Sequence, residues 1–141
     1  MISAPGDLAR LHGRAFAGQG RGWSAAEFRD LLASPLTCLC AGRHGFALSR
    51  VIADEAELLT LATDPDYRRR GVATEMLQMV EAALATRGAA RHFLEVAADN
   101  SAAQVLYARA GYVHSGRRAG YYRRAGGICV DALLMEKALC S

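Results

Sequence analysis

Hydrophobic and polar positions along the chain follow two periods, one helical and one extended, and together they predict a series of short elements. Apolar residues at near-helical spacing predict a first helix that ends near Ala17. A Gly-rich loop over residues 18–22 follows it. The second helix is predicted to begin after Ser24, which forms a capping-box pattern with Glu27, and to end before Pro35.

Three β-strands are predicted after the second helix. Two runs of β-type residues flank a turn with glycine at both ends, which is typical of a hairpin. A third run ends at Asp64 and Pro65, a pair that favours a turn. The predicted strands cover residues 37–41, 46–53 and 57–63.

The rest of the chain continues to alternate between helices and strands. The strongest helix ends at Gly88 and carries one apolar face, formed by Val72, Met76, Leu77, Val80 and Leu84. The elements predicted after it are a strand over 92–97, a helix from the capping residues 99–101 to about 110, and two strands over 112–121 and 128–139. The order ααβββαβαββ predicts a single α/β domain over residues 1–141, with helices on the faces of a mixed sheet.

Composition and charge narrow the choice of partners. The net charge of +3 on 141 residues is too small to indicate nucleic-acid binding, and the basic residues concentrate in two segments, 68–70 and 117–124, instead of forming a stripe. No apolar run approaches the roughly 20 residues of a membrane span. The N-terminus lacks the pattern of a secretory signal, so we expect a cytoplasmic protein.

The four cysteines, Cys38, Cys40, Cys129 and Cys140, form no CxxC pair and, with the nearby histidines, no zinc-binding pattern. This spacing predicts reduced thiols, with neither a metal site nor a disulfide.

The segment between the third strand and the strongest helix predicts an anion site. Its core is Arg68-x-x-Gly71-x-Ala73. The first N–H groups of a helix lack intrahelical partners and lie at the positive end of the helix dipole, and glycine lets a phosphate approach the backbone closely. The lysine of a P-loop and the glycines of a dinucleotide motif are absent. The plainer alternative is a helix start that needs glycine only for its backbone.

Together with downstream residues, this core resembles the signature of the GNAT superfamily of N-acetyltransferases, in which [Arg/Gln]-x-x-Gly-x-[Gly/Ala] binds the pyrophosphate of acetyl-CoA. Residues 93–112 resemble the family block "LEV…N…A…LY…GF", and Trp23, Ser24 and Phe28 are similar to the "WS…F" segment of the RimI type. That type acetylates the N-terminal alanine of ribosomal proteins. The resemblance implies an α/β, GNAT-type fold with a mixed, mostly antiparallel central sheet flanked by helices.

The resemblance also implies roles for individual residues. Glu95 matches the general base that deprotonates the amine, and Tyr107 the general acid that protonates the CoA sulfur. A splay between the third strand and the strand of Glu95 would free backbone groups for the pantetheine and the acetyl carbonyl. The implied cofactor-binding residues are Leu61, Ala62, Thr63, Arg68, Arg69, Arg70, Gly71, Val72, Ala73, Thr74 and Asn100. The implied acceptor-binding residues are Trp23, Tyr121 and Tyr122.

Several of these residues also have a plainer interpretation. Glu95 stands in an otherwise apolar strand, where a charge is unfavourable unless it is used or solvated, and an edge-strand carboxylate facing water would satisfy that condition. Tyr107 can be a core aromatic residue, Asn100 a helix cap, and the two tyrosines ordinary strand residues.

The chemistry of amines favours an N-terminus as the acceptor. An α-amino group titrates near about pH 8 and a lysine near about 10.4, so one carboxylate suits the α-amine better. The resemblance implies acetyl-CoA as cosubstrate and no metal. It implies a peptide or protein N-terminus as the partner, most specifically the N-terminus of a ribosomal protein. No direct contact with nucleic acid or membrane is expected. Arg123 replaces the proline that usually follows the tyrosine pair. The acceptor can therefore also be another N-terminus, a lysine or a small amine. Two other functions also stay open, a silent acyl-CoA-binding module and a ribosome-binding module.

Overall fold

A computed structural model describes residues 2–17 and 21–139. Residues 18–20 of the predicted Gly-rich loop, and Cys140, lie outside the described residues. The helices in this part of the chain are α1 (Pro5–Ala15), α2 (Ala25–Ala33), α3 (Val72–Thr86) and α4 (Ser101–Arg109). The strands are β1 (Thr37–Ala41), β2 (Gly45–Ile52), β3 (Glu55–Thr63), β4 (Arg91–Ala97), β5 (Val113–Arg123) and β6 (Cys129–Ala138).

The predicted order of elements is confirmed, and most boundaries agree within two residues. The capping box of α2 is present, since Ser24 Oγ accepts from the Glu27 N–H and the Glu27 carboxylate accepts from the Ser24 N–H. Strand β3 begins two residues earlier than predicted, and β5 begins one residue later and runs on to Arg123.

The described strands form one mixed sheet in the order β1-β2-β3-β4-β6-β5. Neighbouring strands are antiparallel except for β3 and β4, which are parallel, so the predicted fold class is confirmed. The pairing of β3 with β4 covers Glu55–Glu57 and Arg91–Phe93 and extends no further along these two strands. Beyond it, residues 58–63 and 94–97 separate and leave a gap in the sheet.

Helices cover both faces of the sheet. On one face, α3 buries Met76, Leu77, Val80 and Leu84, as its apolar pattern predicts. On the other face, α1 and α2 pack their own apolar residues against Phe46 and Leu48 of β2. Because alternate residues of a strand point to opposite faces, β2 contributes to both clusters.

A buried polar network lies on the α3 face. The Tyr112 hydroxyl donates to Glu81 over 2.8 Å, so its oxygen accepts from His92 Nδ1–H at 2.5 Å. The other ring nitrogen of His92 then accepts from the Ser49 hydroxyl at 2.9 Å. Lys137 donates to the second Glu81 oxygen at 2.8 Å. The chain of bonds holds His92 as a neutral, fully satisfied group inside the core.

Because His92 is buried as a neutral group, we expect the fold to lose stability in acid. Burial, with a smaller contribution from the charge of Lys137, lowers its pKa from 6.5 to about 4. Between pH 6.5 and pH 4 the unfolded chain therefore binds a proton at His92 that the folded chain does not bind. The contribution of neutral His92 to the free energy of unfolding is complete above pH 6.5 and is lost as the pH falls towards 4. We expect His92 to reduce the free energy of unfolding by about 2 kcal/mol between pH 7 and pH 5.

Urea unfolding at the two pH values measures this effect. The variant His92→Gln removes the titrating group and keeps polar atoms in the network, so its stability should change less between pH 7 and pH 5. The same change in variant and wild type would contradict the assignment to His92.

Candidate active site

The gap between β3 and β4 opens into a cleft of about 360 Å³, here named the Glu95 cleft. Residues from α1, the segment before α2, β3, the start of α3, β4, α4 and the end of β5 line it. Four of the residues predicted from the sequence for catalysis or acceptor binding lie in this lining: Glu95, Tyr107, Trp23 and Tyr122. The volume lies in the range of ordinary small-ligand sites, about 300–1,000 Å³.

A second depression, the Gly71 groove, has a volume of about 640 Å³ and runs along the start of α3 and one face of α4. The residues Gly71, Val72, Ala73 and Thr74 line it, together with Thr63 at the end of β3. Leu61, Ala73 and Asn100 line both the groove and the cleft. The two depressions are therefore parts of one channel that runs from the start of α3 to Glu95.

Gly71 combines two properties of an anion site at the start of α3. As the N-cap it has φ of +78°, a left-handed conformation that glycine adopts without strain. A Cβ built at this position would have no heavy atom within 4 Å, so the space above the backbone is open. Because glycine offers no capping side chain, the first N–H groups of α3 are available to a bound anion.

The three arginines before Gly71 diverge. Arg68 donates to the Ala15 carbonyl over 3.0 Å and so ties the loop to the end of α1. Arg68 and Arg69 line the Gly71 groove. The guanidinium of Arg70 lies 5.2 Å from the centre of the Tyr67 ring, and Arg70 is not among the described residues of the groove. The structure therefore brings two of the three predicted arginines to this site.

Glu95 faces the cleft from the middle of the sheet. Strand β4 lies between β3 and β6, so the interpretation of Glu95 as an edge-strand carboxylate is wrong. Its neighbours Leu94 and Val96 are buried on the opposite face, as strand alternation predicts. The Glu95 side chain is 24% exposed, and its Oε1 lies 3.3 Å from Nε of Arg118 on β5. The carboxylate is thus accessible from the cleft and is oriented by one cation.

Tyr107 reaches the cleft from α4 and is 8% exposed. Its ring contacts the Tyr112 ring edge-to-face, with the centres 5.9 Å apart. Burial and the nearby Tyr122 raise the pKa of Tyr107 to about 12, so its hydroxyl stays protonated at neutral pH. Among the described residues the hydroxyl has no hydrogen-bond partner. No buried side-chain oxygen of those residues is unpaired, so the Tyr107 hydroxyl is not fully buried and faces the open cleft that Tyr107 lines. Tyr107 is a core residue with an available donor.

The two tyrosines at the end of β5 differ in position. Tyr122 lines the cleft, and burial, with a smaller contribution from the charge of Glu95, raises its pKa. Tyr121 is 51% exposed and is absent from the described lining of the cleft. Arg124 stacks on Tyr122 at 5.5 Å and binds Asp99 through two hydrogen bonds of 2.9 and 3.0 Å. This pair connects the β5–β6 turn to the start of α4.

The remaining predicted residues take part in different ways. Asn100 caps α4 by accepting from the Ala103 N–H at 3.1 Å, and it also lines the channel, so its two interpretations are compatible. Leu61 and Thr63 line the channel. The Ala62 side chain is buried in the cluster beneath α1 and α2, so only its backbone can serve a ligand in the channel.

Sequence reasoning missed several residues of the cleft lining, among them His12, Phe16 and Arg124, and it also missed Arg118, which contacts Glu95. Arg118 and Arg124 belong to the basic segment that was noted for its charge alone. His12 lies on the buried side of α1 and Phe16 directly follows the helix, and the helical pattern predicts only core positions for them. The signal for His12 was a histidine on an otherwise apolar helix face.

Other kinds of site find little support in the described part of the chain. No group of three or more histidine, cysteine, aspartate or glutamate side chains is arranged there to hold a metal ion. Cys38, Cys40 and Cys129 are free thiols. Within the described ranges, no helix combines the length and apolar character needed to cross a membrane.

Comparison with known proteins identifies the class. Residues 9–112 match the acetyltransferase (GNAT) family, and the chain belongs to this family. It is similar to the [ribosomal protein bS18]-alanine N-acetyltransferase of Salmonella typhimurium, with 41% identity over 64% of this chain. That match spans 60% of the length of the Salmonella protein.

Two further proteins are similar over most of their length. The N-alpha-acetyltransferase RimI of Mycobacterium tuberculosis is 33% identical over 92% of this chain and 83% of its own. The crystal structure of the ribosomal-protein-S18-alanine N-acetyltransferase from Escherichia coli superposes with a TM-score of 0.82 at 30% identity, covering 94% of this chain and 86% of the other. The similarity therefore includes both the sheet and the helices that border the channel.

Proposed function

We propose that this protein transfers the acetyl group of acetyl-CoA to the α-amine of a protein N-terminus. The proposed acceptor is the N-terminal alanine of a small-subunit ribosomal protein. The observation that carries the proposal is the continuous channel. Its Gly71 end offers helix N–H groups and arginines to a pyrophosphate, and its other end presents Glu95 and Tyr107. The elongated cosubstrate would lie along the channel with its thioester beside the separated ends of β3 and β4.

Each step of direct transfer then has a residue in position. Glu95 takes a proton from the ammonium group of the acceptor, either directly or through water, so that the nitrogen can attack the acetyl carbonyl. A backbone N–H of residues 61–63 stabilises the oxyanion of the tetrahedral intermediate. When the C–S bond breaks, the Tyr107 hydroxyl gives its proton to the departing sulfur, and the second proton lost from the nitrogen returns to the Tyr107 oxygen through water. The products are an N-acetyl amide and CoA.

The choice of an N-terminus as the acceptor rests on the site and on the relatives. Among the described residues that line the cleft, Glu95 is the only carboxylate, which suits an amine that titrates at about pH 8. Aromatic side chains of Trp23 and Tyr122 line the same cleft and can contact an acceptor. Three similar proteins carry names of alanine or N-alpha acetyltransferases. We place the reaction in the cytoplasm.

Gly71→Ala tests the cosubstrate end of the channel. The new methyl group would enter the open space above the backbone, where a phosphate must approach, and we expect acetyl-CoA affinity to fall by at least about 10-fold, equivalent to about 1.4 kcal/mol. The left-handed φ adds a strain of about 1 kcal/mol to the folded state. Thermal unfolding with increasing acetyl-CoA measures both effects, because a ligand of the folded state raises the melting temperature.

Gly88→Ala is the matched control for strain. Gly88 also has a positive φ, +91°, and open space around a built Cβ, but it lies beyond the opposite end of α3. This variant should lose similar stability and keep its affinity for acetyl-CoA. If Gly71→Ala binds acetyl-CoA as tightly as Gly88→Ala does, Gly71 serves only the backbone conformation.

A thiol-release assay with acetyl-CoA tests the acceptor class. We expect peptides with an N-terminal alanine to release CoA fastest, ahead of N-terminally blocked lysine peptides and polyamines. Faster release with lysine peptides or polyamines would assign a different acceptor to the same chemistry. Binding of acetyl-CoA without release for any amine would identify a silent acyl-CoA-binding module instead.

A further inference from the structure

His12 is a buried polar residue at the acceptor side of the channel. It lies on α1, is 5% exposed and lines the Glu95 cleft, but it is absent from the described lining of the Gly71 groove. Its ring stacks on Trp23 with the centres 4.9 Å apart and also contacts Phe16 at 4.6 Å. These aromatic contacts fix the plane of the imidazole.

One hydrogen bond determines the tautomer of this ring. The backbone N–H of Trp23 donates to Nδ1 of His12 over 3.2 Å. Gly13 and Gly22 make this approach feasible, because a Cβ on Gly22 would lie 3.2 Å from the Gly13 Cα. A neutral imidazole that accepts at Nδ1 carries its proton on Nε2. Burial lowers the pKa of His12 to about 4, so the ring is neutral at physiological pH.

The Nε2–H donor has no hydrogen-bond partner within residues 2–17 and 21–139, and no side-chain nitrogen of those residues is both buried and unpaired. The Nε2 edge is therefore the part of the ring that opens into the cleft. Because Nε2 already holds a proton and Nδ1 is occupied, His12 cannot act as a base. It can donate one hydrogen bond, and as an uncharged group it does not repel an incoming ammonium group.

We infer that His12 is a specificity-determining positioning residue that donates its Nε2–H hydrogen bond to the carbonyl oxygen of the acceptor's first residue. This inference rests on the proposed function. In a peptide N-terminus a carbonyl lies two bonds from the Cα-bound amine, whereas the amine of a lysine side chain or a simple alkylamine has no carbonyl there. One fixed donor in the same cleft as Glu95 would thus distinguish an N-terminus from other amines and hold its nitrogen towards the carboxylate.

Two variants separate the donor from the packing. His12→Asn keeps an oxygen that can accept from the Trp23 N–H and removes the donor at the Nε2 position. His12→Gln keeps an N–H donor near the Nε2 position. Each is assayed with an alanine-starting peptide and with the same peptide whose first carbonyl is reduced to methylene. Acetyl-CoA affinity is measured in parallel by thermal shift.

We expect His12→Asn to lower kcat/KM for the normal peptide by about 3- to 10-fold, the range for one neutral hydrogen bond, mainly through KM. On the reduced peptide His12→Asn should match wild type, and His12→Gln should recover much of the loss on the normal peptide. Acetyl-CoA affinity should not change. An equal loss on both peptides, or no loss on either, overturns the role of His12 while wild-type turnover upholds the proposed function. Failure of wild type to acetylate either peptide overturns both.

Discussion

Replacement of Glu95 by glutamine is expected to slow acetyl transfer by about 10²- to 10⁴-fold, the usual effect of losing a general base. Glutamine has the shape of glutamate, so the cleft should keep its form and its affinity for acetyl-CoA. Glu57→Gln is the matched control, because Glu57 lies on the neighbouring strand β3, is 53% exposed and is not part of the Glu95 cleft. That variant should have the wild-type rate.

The pH dependence of the Glu95→Gln deficit identifies the role more closely. As the pH rises past the pKa of the acceptor, near about 8 for an α-amine, more of the acceptor is already neutral and less proton transfer is left for the base. The deficit should therefore shrink with rising pH. A deficit that is constant from pH 6 to pH 10 would mean that Glu95 positions the acceptor or Arg118 and does not take the proton.

Tyr107→Phe is expected to cause the second large loss, also within about 10²- to 10⁴-fold in rate. The substitution removes the hydroxyl that faces the cleft and keeps the edge-to-face contact with Tyr112. Since the pKa of Tyr107 is raised to about 12, the hydroxyl stays protonated between pH 6 and pH 10, and the deficit should not titrate in that interval.

Tyr121→Phe is the control for Tyr107→Phe. Tyr121 is exposed and outside the described lining of the cleft, so the loss of its hydroxyl should change the rate little. Slow product release can conceal a chemical step, so single-turnover rates are needed for both variants. Wild-type single-turnover rates for Tyr107→Phe would contradict its role as general acid, and a large loss for Tyr121→Phe would support the sequence-based prediction that Tyr121 binds the acceptor.

The features predicted well from the sequence depend on near neighbours in the chain. The capping box of α2, the apolar face of α3 and the alternation that exposes Glu95 and buries Leu94 each depend on residues at most a few positions apart. The role of Gly71 at the start of α3 could also be predicted, because a positive φ is a property of that single residue. For these features local preferences and the folded structure agree.

The features that were missed depend on distant contacts. Arg68 binds the Ala15 carbonyl, 53 positions earlier, and Arg118 reaches Glu95 from a strand that is not its direct neighbour in the sheet. Tyr121 and Tyr122 are adjacent in sequence, yet an irregular register between Arg118 and Tyr122 decides which of them faces the cleft. The separation of β3 from β4 was expected from the family resemblance and is confirmed, but no residue pattern within either strand encodes where their pairing ends.

The most direct measurement of the proposed activity uses a peptide with an N-terminal alanine and one internal lysine, incubated with the protein and acetyl-CoA. Mass spectrometry of fragments then locates the acetyl group, with Glu95→Gln and an N-terminally blocked peptide as controls. We predict one acetyl group on the α-amine, almost none with Glu95→Gln at neutral pH, and none on the blocked peptide. Acetylation of the internal lysine, or enzymatic rates that Glu95→Gln leaves unchanged, would contradict the account.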